Sequence, residues 1–215
     1  METINEKILG IIGSFLLLIG FLITMYLWLD LGLTASAIIT GINSLYFLTG
    51  IGIFITGQIF FGIVLYSIFK KTDNKSFISN YTMYAILWDI GLLLPTIFMY
   101  LPKLNFTVEG WSVGLLIIII IAFILLFAAS WYYNENLHSL SRLTNVGNFI
   151  NSGLLWMIGT GLIFILAIIE TFIFEGTGTT YPMAFIGMIF ISIALILQII
   201  SCAFIPKELI KAKIG

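Results

Sequence analysis

Eight of the nine Lys and Arg residues of this 215-residue chain lie in four short places: Lys7; Lys70, Lys71 and Lys75; Arg142; and Lys207, Lys211 and Lys213. Long apolar runs separate them. About 20 residues at a rise of 1.5 Å cross the roughly 30 Å of a bilayer's hydrocarbon, so basic clusters alternating with apolar runs predict a multi-pass membrane protein. With 60% hydrophobic and 9% charged residues and a mean hydropathy of +1.15, the chain lies outside the range of soluble domains. A β-barrel needs alternating segments of about 10 residues, whereas Ile117 to Ile121 is unbroken apolar sequence. The expected fold class is therefore all-α: a polytopic helical bundle forming one integral membrane domain over residues 1–215.

Six transmembrane helices are expected, near Ile8 to Leu29, Phe47 to Phe69, Asn80 to Leu101, Ser112 to Tyr132, Phe149 to Phe174 and Met183 to Ile205. The amino terminus, the second and fourth connections and the tail carry eight basic residues, and the other connections only Lys103. Positively charged loops stay inside, which places both termini in the cytoplasm. Trp28, Trp111 and Tyr181 then fall at the outer interface, and Trp131, Tyr132 and Tyr133 at the inner one. Ala35-Ser36-Ala37 resembles a signal-cleavage site, but the apolar core before it is too long and Glu2 and Glu6 spoil a basic leader, so the first helix is expected to stay. Leu31 to Tyr46 is apolar with scattered polar residues. An outward extension of the second span with a short cap is favoured there over an interfacial helix.

Asp89 is the leading candidate for chemistry. It lies nine residues into the third span, about 13 Å from the inner edge. A carboxylate at that depth carries a high insertion cost and normally faces the bundle interior. Thr82, Ala85, Asp89, Thr96 and Tyr100 share one stripe of that helix, and Pro95, which removes the bond to the Gly91 carbonyl, marks a candidate kink. No Lys, Arg or His lies in any expected span, so an acid without a counter-charge is expected as a neutral donor and acceptor. Gln58 and Gln198 lie at similar depth and complete a candidate intramembrane polar cluster. Glu170 lies roughly 15 Å away in depth and reads as interfacial. Because the second and third spans are joined by a short connection, Asp89 and Gln58 should be neighbours exchanging two hydrogen bonds.

No catalytic, cofactor or metal signature accompanies these residues. His138, the single histidine, reads as solvated in a cytoplasmic connection beside Glu135 and Arg142, and Cys202 stands alone. Gly13 with Gly20, Gly50 with Gly57, and Gly153 with Gly161 mark faces where helices approach closely. The fourth span, bulky from Ile117 to Phe127 except for Ala122, should be the most lipid-exposed. Asn105-Phe106-Thr107 is a glycosylation sequon on the outer side.

Four motifs carry a family resemblance: Leu9-Gly10-Ile11-Ile12-Gly13-Ser14 leading into Leu17-Leu18-Ile19-Gly20, Lys75-Ser76-Phe77-Ile78-Ser79-Asn80, Gly153-Leu154-Leu155-Trp156-Met157-Ile158-Gly159, and the closing Phe204-Ile205-Pro206. Through them the chain resembles an uncharacterised archaeal family of multi-pass membrane proteins, known as a domain of unknown function. Asp30 to Tyr46 departs from its pattern as an insertion. The resemblance implies an archaeal cytoplasmic-membrane location and transfers no activity.

The absence of motifs, the short loops and the glycine faces favour a non-enzymatic accessory or assembly subunit. Its expected partners are the lipid bilayer and other membrane subunits or further copies of itself, with no nucleic acid and no cofactor. The rival is a small proton- or cation-coupled transporter or channel built on Asp89, Pro95 and the two glutamines. No convincing repeat relates the first three spans to the last three, as many transporters would require. An enzyme acting on lipid is a distant third.

Overall fold

The computed structural model describes residues 2–33, 41–72, 75–100, 108–173 and 184–206, with side chains for 5–24, 46, 48–72, 75–94, 117–118, 120–166 and 185–206. Apolar sequence without interior turn signals produces six helices: α1 (Glu2–Leu33), α2 (Gly41–Thr72), α3 (Lys75–Tyr100), α4 (Val108–Thr144), α5 (Asn148–Ile173) and α6 (Ala184–Ala203). Among the described residues, five are long and apolar enough to cross a membrane: α1, α2, α3, α5 and α6. The backbone between Gly41 and Tyr46 continues α2, as favoured from the sequence, and Leu31 to Leu33 belong to α1. Asp30, Lys103, the sequon and Glu109, and the outer-interface aromatics Trp28, Trp111 and Tyr181, lie outside the described residues or side chains.

The helices stand in a ring in chain order, with α1 also packed on α6. Polar bonds stitch each neighbouring pair. Lys71 of α2 pairs with Glu6 of α1 at 2.6 Å, the Tyr81 hydroxyl donates to the Gln58 carbonyl at 2.6 Å, and Asn136 Nδ2 of α4 donates to the Phe77 carbonyl of α3 at 2.6 Å. Ser130 donates to Thr160 across α4 and α5 at 2.9 Å, Ser152 to the Ala194 carbonyl across α5 and α6 at 2.8 Å, and Ser14 meets Cys202 across α1 and α6 at 3.8 Å. Other hydroxyls bond inside their own helix, as where Thr56, Thr144 and Ser201 each donate to the carbonyl four residues back at 2.7 Å.

Two glycine faces set the closest helix approaches. A Cβ on Gly57 would stand 2.6 Å from the Leu17 nitrogen and 2.8 Å from the Gly13 carbonyl oxygen, so α1 and α2 touch backbone to backbone as the Gly13, Gly20, Gly50 and Gly57 spacing anticipates. The second face differs from expectation. Gly161 has only the Phe127 ring at 3.9 Å, whereas a Cβ on Gly187 of α6 would stand 2.6 Å from the Gly159 oxygen. Gly153 instead meets Asn134 of α4. A seven- or eight-residue spacing finds a face only when both glycines point at the same neighbour.

Helix α4 overruns its expected end at Tyr132 by three turns. Leu126, Ala129, Tyr133, Leu137, Leu140 and Leu143 continue one buried stripe at helical spacing. Residues expected in a loop are therefore helical. His138 is half-buried on that extension and Arg142 is exposed. Asn145, at φ 56°, ends the helix in the left-handed conformation that asparagine tolerates, and α5 begins at Asn148. The same stripe corrects the place of Tyr133: it is fully buried, leaving exposed Trp131 and half-buried Tyr132 at the surface.

Candidate intramembrane polar site

Asp89 and Gln58 each lie fourteen residues from the α2–α3 turn, Gln58 before Thr72 and Asp89 after Lys75. Equal counts in antiparallel helices give equal height, roughly 21 Å along each axis. With the Gln58 carboxamide turned so that its nitrogen faces Asp89, Nε2 donates to Oδ1 and to Oδ2, each at 3.2 Å. The two residues are neighbours, as expected. The bonding differs from a reciprocal exchange, because one nitrogen bridges both oxygens and the acid serves only as acceptor.

Asp89 stands at the rim of the bundle, not at its centre. It is half-buried, with exposed Ile86 and Ile90 to one side and buried Trp88 and Leu92 to the other. Gln58 is 3% exposed. The backbones of α2 and α3 make the fewest close approaches of any neighbouring pair in the ring. Large rings fill the seam between them, with Phe54 stacked on Trp88 at 6.0 Å and Phe61 tilted against Tyr81 at 5.9 Å. The expected stripe on α3 is only partly polar in effect, since Thr82 is exposed and donates to its own helix at Ile78. Helix α3 runs on through Pro95 to Tyr100. The side chains of Pro95, Thr96, Tyr100 and Glu170 lie outside those described.

Gln198 does not join Asp89. Its Oε1 accepts from the Tyr133 hydroxyl instead. Depth counted along a single helix cannot say which neighbour a side chain meets, and Tyr133 reaches Gln198 only because the α4 stripe turns it inward.

Between the two glutamines lies an aromatic core that composition alone does not reveal. Tyr84 stacks on Tyr133 at 4.3 Å, Tyr133 lies 5.0 Å from Trp156, and Trp156 lies 4.9 Å from Trp88. The Tyr84 hydroxyl faces the Gln58 side chain and has no other hydrogen bond among the described residues. Trp88 Nε1, Trp156 Nε1 and Gln198 Nε2 are buried donors without partners among the described residues. The usable signal for these residues is spacing, since Tyr81, Tyr84 and Trp88 recur at intervals of three and four.

Chemically, the arrangement can hold helices in register and present one carboxylate at a lateral seam. Among the described residues no group of three His, Cys, Asp or Glu is placed to hold a metal ion. No family model, no curated protein and no solved structure matches this chain. The site is read from its geometry alone.

Proposed function

We propose that the chain is a multi-pass integral membrane protein with a non-enzymatic role, an accessory or assembly subunit of a larger membrane system. The supporting observation is an inverted polarity. Bulky apolar side chains cover the outside, such as Ile8, Phe15, Ile59, Ile124, Ile165 and Ile189, each between 49% and 59% exposed, while Gln58, Ser130, Asn136, Ser152 and Gln198 are buried. Lipid is the solvent that suits such a surface, and so is a neighbouring membrane helix. Six spans with both termini cytoplasmic, in an archaeal cell membrane, complete the reading on the basic asymmetry and the family resemblance.

Asp89 supports the same role because its carboxylate is engaged by Gln58 in a helix-to-helix clasp. The test is purification in mild detergent followed by identification of what travels with the chain. A defined membrane partner, lost on disruption of the exposed faces, is the expected result. A chain that runs alone and conducts protons in vesicles, with conduction lost in Asp89→Asn, would sink the accessory role. That outcome would establish the transporter reading, which the half-buried position of Asp89 at the rim favours.

A further inference from the structure

The basic end of the α1–α2 pair carries a cleft of about 400 Å³ that the clasp and the core do not use. Its walls come from both helices: Glu6 and Leu9 of α1, and Ile63, Ser67, Lys70 and Lys71 of α2. The floor is locked. Glu6, 6% exposed, accepts on one oxygen both the Lys71 ammonium at 2.6 Å and the Ser67 hydroxyl. Lys70 stands at the mouth, exposed, with its ammonium 4.9 Å from the centre of the half-exposed Tyr66 ring. Two and three turns deeper, Ile63 and Ile59 are 48% and 58% exposed, so the cleft opens onto a greasy wall.

We infer that this cleft holds the headgroup of an anionic phospholipid. Two ammonium groups and one carboxylate line the cleft, which leaves one net positive charge at the end of a helix apolar enough to span, the level at which headgroups lie. Tyr66 and Lys70 form the aromatic and basic pair expected at that interface. A phosphate takes Lys70, with Lys71 behind it on Glu6, while the lipid's hydrocarbon tail runs along Ile63 and Ile59. A free anion would use the lysines but gain nothing from the aliphatic wall, and a choline headgroup would bring its own cation against Lys70. The site rests on the membrane placement proposed above.

The experiment measures lipid retained by the full chain in mild detergent, using phosphatidylglycerol and phosphatidylcholine as competing probes and native mass spectrometry as the readout. Phosphatidylglycerol should be retained in preference. Lys70→Gln, which leaves the Glu6–Lys71 pair intact, should lower that preference about fivefold, the effect of one basic side chain at an anionic surface. Glu6→Gln should raise the preference while lowering thermal stability, because it frees Lys71 for phosphate and loosens the helix pair. A purely structural role would move both readouts down. Equal retention of the two lipids, or no response to Lys70→Gln, overturns the site. Displacement of phosphatidylglycerol by inorganic phosphate overturns the lipid in favour of a free anion. Failure of the chain to enter bilayers at all would sink the membrane placement instead, so the two failures are distinguishable.

Discussion

A donor shared between two oxygens at 3.2 Å each is a long and divided hydrogen bond, so the Asp89–Gln58 clasp should contribute modestly. Interhelical side-chain bonds in membranes average about 0.6 kcal/mol and reach about 1.7 kcal/mol. A double-mutant cycle of Asp89→Leu and Gln58→Leu, followed by unfolding in detergent, should return a coupling within that span; strictly additive energies would dissolve the clasp. Tyr133→Phe should cost more, about 1–3 kcal/mol, because it strips the donor from Gln198 Oε1, on a fully buried amide whose nitrogen already has no partner among the described residues. An unchanged melting temperature would remove that bond from the account. The first pair was legible in the sequence because both residues count equally from one short turn. The second was not, since nothing local says that Tyr133 leaves the interface for the core.

Glycine separates the helix interfaces at the level of elements. Gly159→Ala should destabilise by about 1–3 kcal/mol, as an added methyl group would stand 2.8 Å from the Gly187 oxygen and 2.6 Å from Ile191. Gly161→Ala, with a single ordinary contact at 3.9 Å, should be neutral or gain up to about 1 kcal/mol from a stiffer unfolded chain. Equal effects in a detergent melt would place the α5–α6 seam elsewhere. Asn145 supports a further comparison: Asn145→Gly should leave the α4 end intact, while Asn145→Val should cost about 1–2 kcal/mol at φ 56°. Helical spacing on α4 was readable past Tyr132, but charged and polar residues around Glu135, His138 and Arg142 disguise it as a loop. Burial of the Leu137, Leu140 and Leu143 stripe outweighs that signal.

At the scale of the whole molecule, orientation is the testable consequence of charge. In a Cys202→Ser background, single cysteines at Asp73 and Leu209 should resist an impermeant reagent in sealed cells, and those at Thr107 and Gly178 should react. The opposite pattern inverts the topology. The chain's own residues determine the helical class, the approximate ends of most helices and the glycine contact between α1 and α2, because each depends on hydropathy and spacing along one segment or on one short turn. Only the tertiary structure decides that the Asp89 carboxylate sits at a lateral rim, that Gln198 belongs to Tyr133, and that Gly159 and Gly187, not Gly161, join α5 to α6. Those facts depend on the rotation of each helix about its axis against its neighbours. In helices that are apolar nearly all round, no strong polar face sets that rotation, and close packing of side chains settles it.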